Sequence, residues 1–121
     1  MKSEIVTTSI NDLIEIHSQP FTDTRGFFLN AFREQESTFQ KSWGGRSISQ
    51  VNISHTKDVG VVRGLHYQKE PHSEAKLVRC LKGRVWDVAV DLRHQSPTYG
   101  QWHAIELSYE LGNALLIPEG F

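Results

Sequence analysis

Six short segments of β-branched and apolar residues, separated by stretches with Gly, Pro, Ser or His, constrain this chain more than anything else in it. They cover residues 48–53, 59–68, 76–81, 85–92, 101–108 and 114–117. Runs of this length and spacing are too short for core helices and are broken by turn formers, so they read as strands. Many strands at short intervals argue for an all-β sandwich or barrel. The clearest helical stretch is residues 32–42, stopped by Trp43-Gly44-Gly45. At 121 residues the chain reads as one domain spanning 1–121.

Charge excludes some partners. Thirteen basic and fourteen acidic residues are mixed along the chain, for a formal net charge of −1, so nucleic-acid binding has no electrostatic support. No apolar run approaches the ~20 residues of a membrane span. The polar start Met1-Lys2-Ser3-Glu4 lacks the apolar stretch of a signal peptide. A single cysteine, Cys80, leaves no internal disulfide and reads as a small apolar strand residue. A cytoplasmic location is the expectation. The apolar run Ala114-Leu115-Leu116-Ile117 into Pro118-Glu119-Gly120-Phe121 leads us to expect further sequence, with the fold incomplete at the C-terminus.

One hairpin can be read in detail. A two-residue turn at Lys82-Gly83 would pair Cys80 with Val85, Val78 with Asp87 and Lys76 with Ala89. Lys76 and Asp87 would then share a face as diagonal neighbours. A second expectation concerns Gly64. Arg63 and His66 differ in parity, and a bulge at Gly64 could turn both into one pocket. Upstream, Gln50, Asn52 and Ser54 share a face and Val51 and Ile53 the other.

The residue types suggest a chemistry. Histidine can accept a proton near neutral pH. Lysine can stabilise an oxyanion that forms as the proton leaves. Arginine can hold a phosphate through paired N–H donors. His66, Lys76 and Arg63 together suggest proton abstraction beside a carbonyl on a phosphorylated substrate. The histidines His55, His72, His94 and His103 lack the spacing of a metal cupin, so no metal is expected. No glycine-rich phosphate loop is present, and no cofactor is expected.

From about residue 21 to 121 the sequence resembles the dTDP-4-dehydrorhamnose 3,5-epimerase family. The matching stretches are Phe21-Thr22-Asp23-Thr24-Arg25-Gly26-Phe27-Phe28, Gln50-Val51-Asn52-Ile53-Ser54, Val62-Arg63-Gly64-Leu65-His66-Tyr67-Gln68 and Lys76-Leu77-Val78-Arg79. Further on come Asp87-Val88-Ala89-Val90-Asp91-Leu92-Arg93, Ser96-Pro97-Thr98-Tyr99-Gly100 and Ile117-Pro118-Glu119-Gly120-Phe121. Their order and spacing carry the resemblance.

The resemblance implies a cupin-like jelly roll, a homodimer without metal, and a nucleotide-diphosphate sugar as substrate: a dTDP-4-keto-6-deoxyhexose epimerised at C3 and C5. By motif, His66 matches the general base and Lys76 the residue beside the keto oxygen. Arg25 and Arg63 match diphosphate contacts, and Gln50 and Asn52 line the nucleotide and sugar site. Phe28 matches the ring that could stack on the base, and Asp87 is a candidate to orient His66 or Lys76. Five residues after the arginine of the arginine-glycine motif the family usually has a glutamate. Here it is Asn30, which opens the way to a changed sugar preference. Family members continue past Pro-Glu-Gly-Phe and there carry another site histidine, a tyrosine proton donor and the acidic partner of the base. Two other readings stay open: a single-carbon epimerase or ketoisomerase of a sugar nucleotide, and a non-catalytic sugar-nucleotide-binding cupin or inactive fragment.

Overall fold

A computed structural model describes residues 3–121, excepting the side chains of residues 37 and 38. It is all-β apart from one seven-residue helix, as expected. The strands are β1 Ser3–Thr7, β2 Ile14–Ser18, β3 Phe21–Asp23, β4 Gly26–Phe28, β5 Lys76–Arg79, β6 Arg84–Val90, β7 Trp102–Ser108 and β8 Ala114–Ile117. The helix, α1, is Ser37–Trp43.

A four-stranded antiparallel sheet in the order β1-β2-β8-β5 forms the centre. Strand β8 lies between β2 and β5, with Leu116 opposite both Ile14 and Leu77. Successive side chains alternate between the two faces. On one face Ile14, Ile16, Ala114 and Leu116 pack against Phe39 and Trp43 of α1, with Phe32 and Leu77 beside them. On the other, Leu115 packs against Ala89, Ile105 and Leu107 of the β6–β7 pair, with Val78 and Ile117 beside them. The molecule is thus layered: helix, sheet, hairpin. Burial on both faces explains why β8 reads as an unbroken apolar run. Ala114 and Leu115 are fully buried.

Several expectations need correction. Strands β5 and β6 do not form a hairpin. Gly83 does take a positive φ of 71°, but β5 pairs with β8 and β6 with β7. The expected Val78–Asp87 and Lys76–Ala89 register is therefore absent: Lys76 lies opposite Ile117 and Asp87 opposite Ile105. A glycine turn specifies that the chain bends, not which strand it meets next.

Segments 48–53 and 59–68 are not strands. Residues 47–72 are exposed and carry no regular element. Val51 and Ile53 are each 80% exposed and Val62 87%. A strand exists through its partner's hydrogen bonds, and among the described residues nothing pairs with either segment. The helix begins later than expected. Its N-cap, Glu36, is extended with no side-chain cap bond, and a turn from Arg33 to Glu36 precedes it. Strands β1 to β4 are not among those expected from the sequence. The alternation of Ile14, Glu15 and Ile16 was their available signal.

A knot of hydrogen bonds fixes the loop after β6. Asp91, with no exposed surface, accepts from the backbone N–H, Nε and Nη2 of Arg93 and from the hydroxyls of Ser96 and Thr98. Arg93 also reaches Asp12 at 2.8 Å and the Asn11 carbonyl at 2.7 Å, and its guanidinium carbon lies 4.8 Å from the Phe121 ring centre. The loop is thereby tied to the β1–β2 turn.

Candidate active site

Lys76 and Asp87 come from different sheets and meet inside the sandwich. Lys76 shares its side of β5 with Val78, and Asp87 its side of β6 with Ala89. Val78 and Ala89 both belong to the core between the sheets. Burial pushes the Asp87 carboxyl up, while the Val88 N–H and the Lys76 charge pull it partly back. Its Oδ2 is buried without a hydrogen-bond partner among the described residues. A buried carboxylate oxygen of this kind is costly. The diagonal pairing expected within one hairpin is absent; the two residues turn toward the same core from different sheets, near enough for the lysine charge to act on the carboxyl.

This pair gives a test. Because burial outweighs the lysine, ionised Asp87 destabilises the fold. The raised native value means that the penalty is whole above it and disappears as pH falls below the unfolded value of ~3.9. Asp87→Asn should therefore raise stability at pH 7 by about 1 kcal/mol, a few degrees of melting temperature, with the gain shrinking toward pH 4. Thermal melts at the two pH values check it. An unchanged or lowered Tm at pH 7 would show that the lysine contact outweighs burial.

None of the other expected site residues bonds to this pair among the described residues. His66 is exposed and makes no hydrogen bond or ion pair among the described residues. Gly64 leaves room for its ring: at φ 100°, a Cβ on Gly64 would fall 3.0 Å from His66 Nδ1. Arg63 does not turn toward His66. Its Nε donates to Thr56 Oγ1 at 3.1 Å and its Nη2 to the His55 carbonyl at 3.0 Å. Gln50 and Asn52 lie in the same exposed stretch. Arg25, 87% exposed, folds onto Asp23 in the β3–β4 turn, and its donors hold that carboxyl below its usual range.

The chain that follows Phe28 and Asn30 is anchored on the far side of the central sheet from Lys76, at Ala31 and Phe32. Arg79, on the Leu77 side of β5, donates to the carbonyl of Ala31 at 2.8 Å, and Phe32 packs in the helix-side core. The strand order thus brings Lys76 and Asp87 together and keeps Ala31 and Phe32 on the opposite face. Arg79 stood in a quoted motif without a role. Its partners are main-chain carbonyls, which leave no mark in sequence.

A hollow of about 450 Å³ lies on the helix side, lined by Lys41, Arg46, Arg93, Asp12 and Glu119 among others. Its charges are largely paired: Arg46 with Glu119 through two bonds of 2.7–2.8 Å, Arg93 with Asp12. Among the described residues no group of three or more His, Cys, Asp or Glu is placed to hold a metal ion. No described helix is long and apolar enough to cross a membrane.

Comparison with known proteins agrees with the motif reading. The family model for dTDP-4-dehydrorhamnose 3,5-epimerase matches residues 7–121. The chain is 45% identical over 118 residues to the Shigella flexneri enzyme of that name, covering 97% of this chain and 64% of the relative. Among solved structures, the Elizabethkingia anophelis epimerase is 43% identical with a TM-score of 0.87, covering 98% of this chain and 64% of that one. The Legionella pneumophila epimerase, solved with dTDP-4-keto-L-rhamnose, is 38% identical with a TM-score of 0.79, covering 99% and 62%. The chain thus spans less than two thirds of the length of these relatives. Its all-β architecture is the cupin-like jelly roll of these neighbours. With the motifs in order, the strands superimposing and the family model matching nearly end to end, the chain belongs to the dTDP-4-dehydrorhamnose 3,5-epimerase family.

Proposed function

We propose that this chain, as a single domain, serves an epimerase acting at C3 and/or C5 of a dTDP-4-keto-6-deoxyhexose in deoxysugar nucleotide synthesis. The observation that carries the reading is Lys76 facing half-buried Asp87 between the two sheets. A lysine held there can receive the charge that develops on the 4-keto oxygen. His66 removes a proton from the carbon next to the carbonyl. The C–H electrons form the enolate double bond and the charge passes to the oxygen beside Lys76. A proton drawn from solvent, or from an acid that exchanges with it, is delivered to the opposite face of that carbon and completes the inversion, while His66 releases the first proton to solvent. Asp87 keeps Lys76 charged and aimed.

The remaining roles follow the motifs. Arg25 and Arg63 bind the diphosphate, and their binding energy is remote from the reacting carbons. Phe28 stacks on the base, and Asn30, Gln50 and Asn52 meet the nucleotide and sugar. The protein works in the cytoplasm as a homodimer. The dimer is supported by the anchoring of Ala31 and Phe32 behind the sheet that carries Lys76: a second copy can present its own segment 28–30 to the first copy's site.

Proton NMR of dTDP-4-keto-6-deoxyglucose in deuterated water with this protein tests the reading. Loss of the C3 and C5 signals is expected. Loss at C3 alone supports a single-carbon epimerase; the chain is also 30% identical, at a TM-score of 0.81, to the 3'-monoepimerase of Streptomyces bikiniensis, which was solved with dTDP-quinovose. Binding without exchange supports a non-catalytic cupin, and absence of binding overturns the reading.

A further inference from the structure

Strand β4 and the segment after it are seated on the β7–β8 turn at three points. The Phe27 and Tyr109 rings lie 5.0 Å apart. Leu29 presses on Gly112, where an added Cβ would fall 3.2 Å from Leu29 Cδ2 at a φ of 61°. Arg79 closes the third point, with Nε on the Ala31 carbonyl and Nη1 on the Gly112 carbonyl, each at 2.8 Å. Phe27 and Leu29 point into this seat, and Phe28 between them is 63% exposed.

Arginine is a demanding choice for such a position. Burial alone lowers its pKa, and no carboxylate among the described residues pairs with it. A neutral donor could meet one carbonyl. The guanidinium meets two, in directions fixed by one rigid plane. The distance between residues 31 and 112 is thereby set by covalent geometry.

We propose that Arg79 is a positioning residue that fixes, through the Ala31 and Gly112 carbonyls, where Phe28 and Asn30 stand to receive the nucleotide end of the substrate. The inference rests on the functional reading above for what those two residues meet. Arg79 itself touches no substrate in it.

The test compares full-length wild type with Arg79→Met, Arg79→Lys and Gly112→Ala. It reads dTDP affinity by calorimetry, KM and kcat separately, and amide exchange at 27–31. Arg79→Met should weaken dTDP binding and raise KM about tenfold, the worth of a charge-assisted bond, with kcat within about twofold. Exchange at 27–31 should quicken. Arg79→Lys should lie between, since one donor replaces a fork. A folded Arg79→Met with unchanged dTDP affinity, or with kcat reduced and KM unmoved, overturns the proposal. Should the arginine variants not fold, Gly112→Ala carries the test. It leaves Arg79 in place and displaces Leu29; a raised KM supports the proposal and an unchanged one overturns it. A wild type that neither binds dTDP nor exchanges substrate protons defeats the functional reading and the recognition role together. The exchange rates at 27–31 then decide separately whether Arg79 holds the segment.

Discussion

Asp91→Ala should cost the fold about 3 kcal/mol or more and lower the melting temperature by about 10 °C or more. Asp91 is fully buried and is the shared acceptor for three donors of Arg93 and for the Ser96 and Thr98 hydroxyls. Removing it leaves a guanidinium and two hydroxyls facing a hole. A truncated partner in a buried pair costs more than the pair contributes, because the remaining charge stays desolvated. Burial alone would push the Asp91 carboxyl up. The bonds from Arg93, Ser96 and Thr98 outweigh it and hold the group well below the carboxylate range. The sign of the pH dependence follows. A depressed native value means that the contribution is whole above the unfolded value of ~3.9 and is lost as pH falls toward the native one. Wild type should therefore lose stability in acid more steeply than Asp91→Ala. Urea melts at pH 7 and pH 3.5 check both statements, and equal midpoints for the two proteins at pH 7 would remove Asp91 from this role.

What could be read from the sequence depended on whether the signal was local. Strand β8 was legible to the residue because Ala114 to Ile117 is buried on both faces and says so by being apolar throughout. The pairing of β5 and β6 was not. Lys82 and Gly83 encode a bend, whereas the partners of β5 come from β8, some forty residues along, through packing that no turn records. Segments 48–53 and 59–68 carry the composition of strands without a partner among the described residues to make them so. The site shows the same division. Lys76, Asp87 and His66 announce themselves by residue type and motif, and Lys76 and Asp87 do meet, although the register that first joined them is wrong. The helix-side anchoring of Ala31 and Phe32, and the grip of Arg79 on two carbonyls, depend on which face of β5 turns outward. Alternation gives that face only once the sheet order is known.

His66→Ala in the full-length protein should abolish deuterium uptake at C3 and C5, with a rate lower by about 10²–10⁴-fold, the usual contribution of a positioned base. The substrate's own acidity does not replace it. A proton beside a ketone leaves slowly unless a base stands within hydrogen-bond reach and the enolate oxygen is met by a charge. The second requirement falls to Lys76, so Lys76→Met should slow exchange by about 10²–10³-fold. The two losses differ in character. His66→Ala removes the group that takes the proton and leaves the fold unburdened, because the ring is exposed and bonded to nothing among the described residues. Lys76→Met removes the charge that steadies Asp87, whose buried Oδ2 already lacks a hydrogen-bond partner among the described residues, so its carboxyl should be pushed up further. Melts would then separate the variants: unchanged for His66→Ala, and lower for Lys76→Met at neutral pH with recovery in acid as Asp87 takes up its proton. If exchange persists in His66→Ala while dTDP still binds, the base lies elsewhere. If it persists in Lys76→Met, the oxyanion is met by another donor, and the Lys76–Asp87 pair is a packing device within the sandwich.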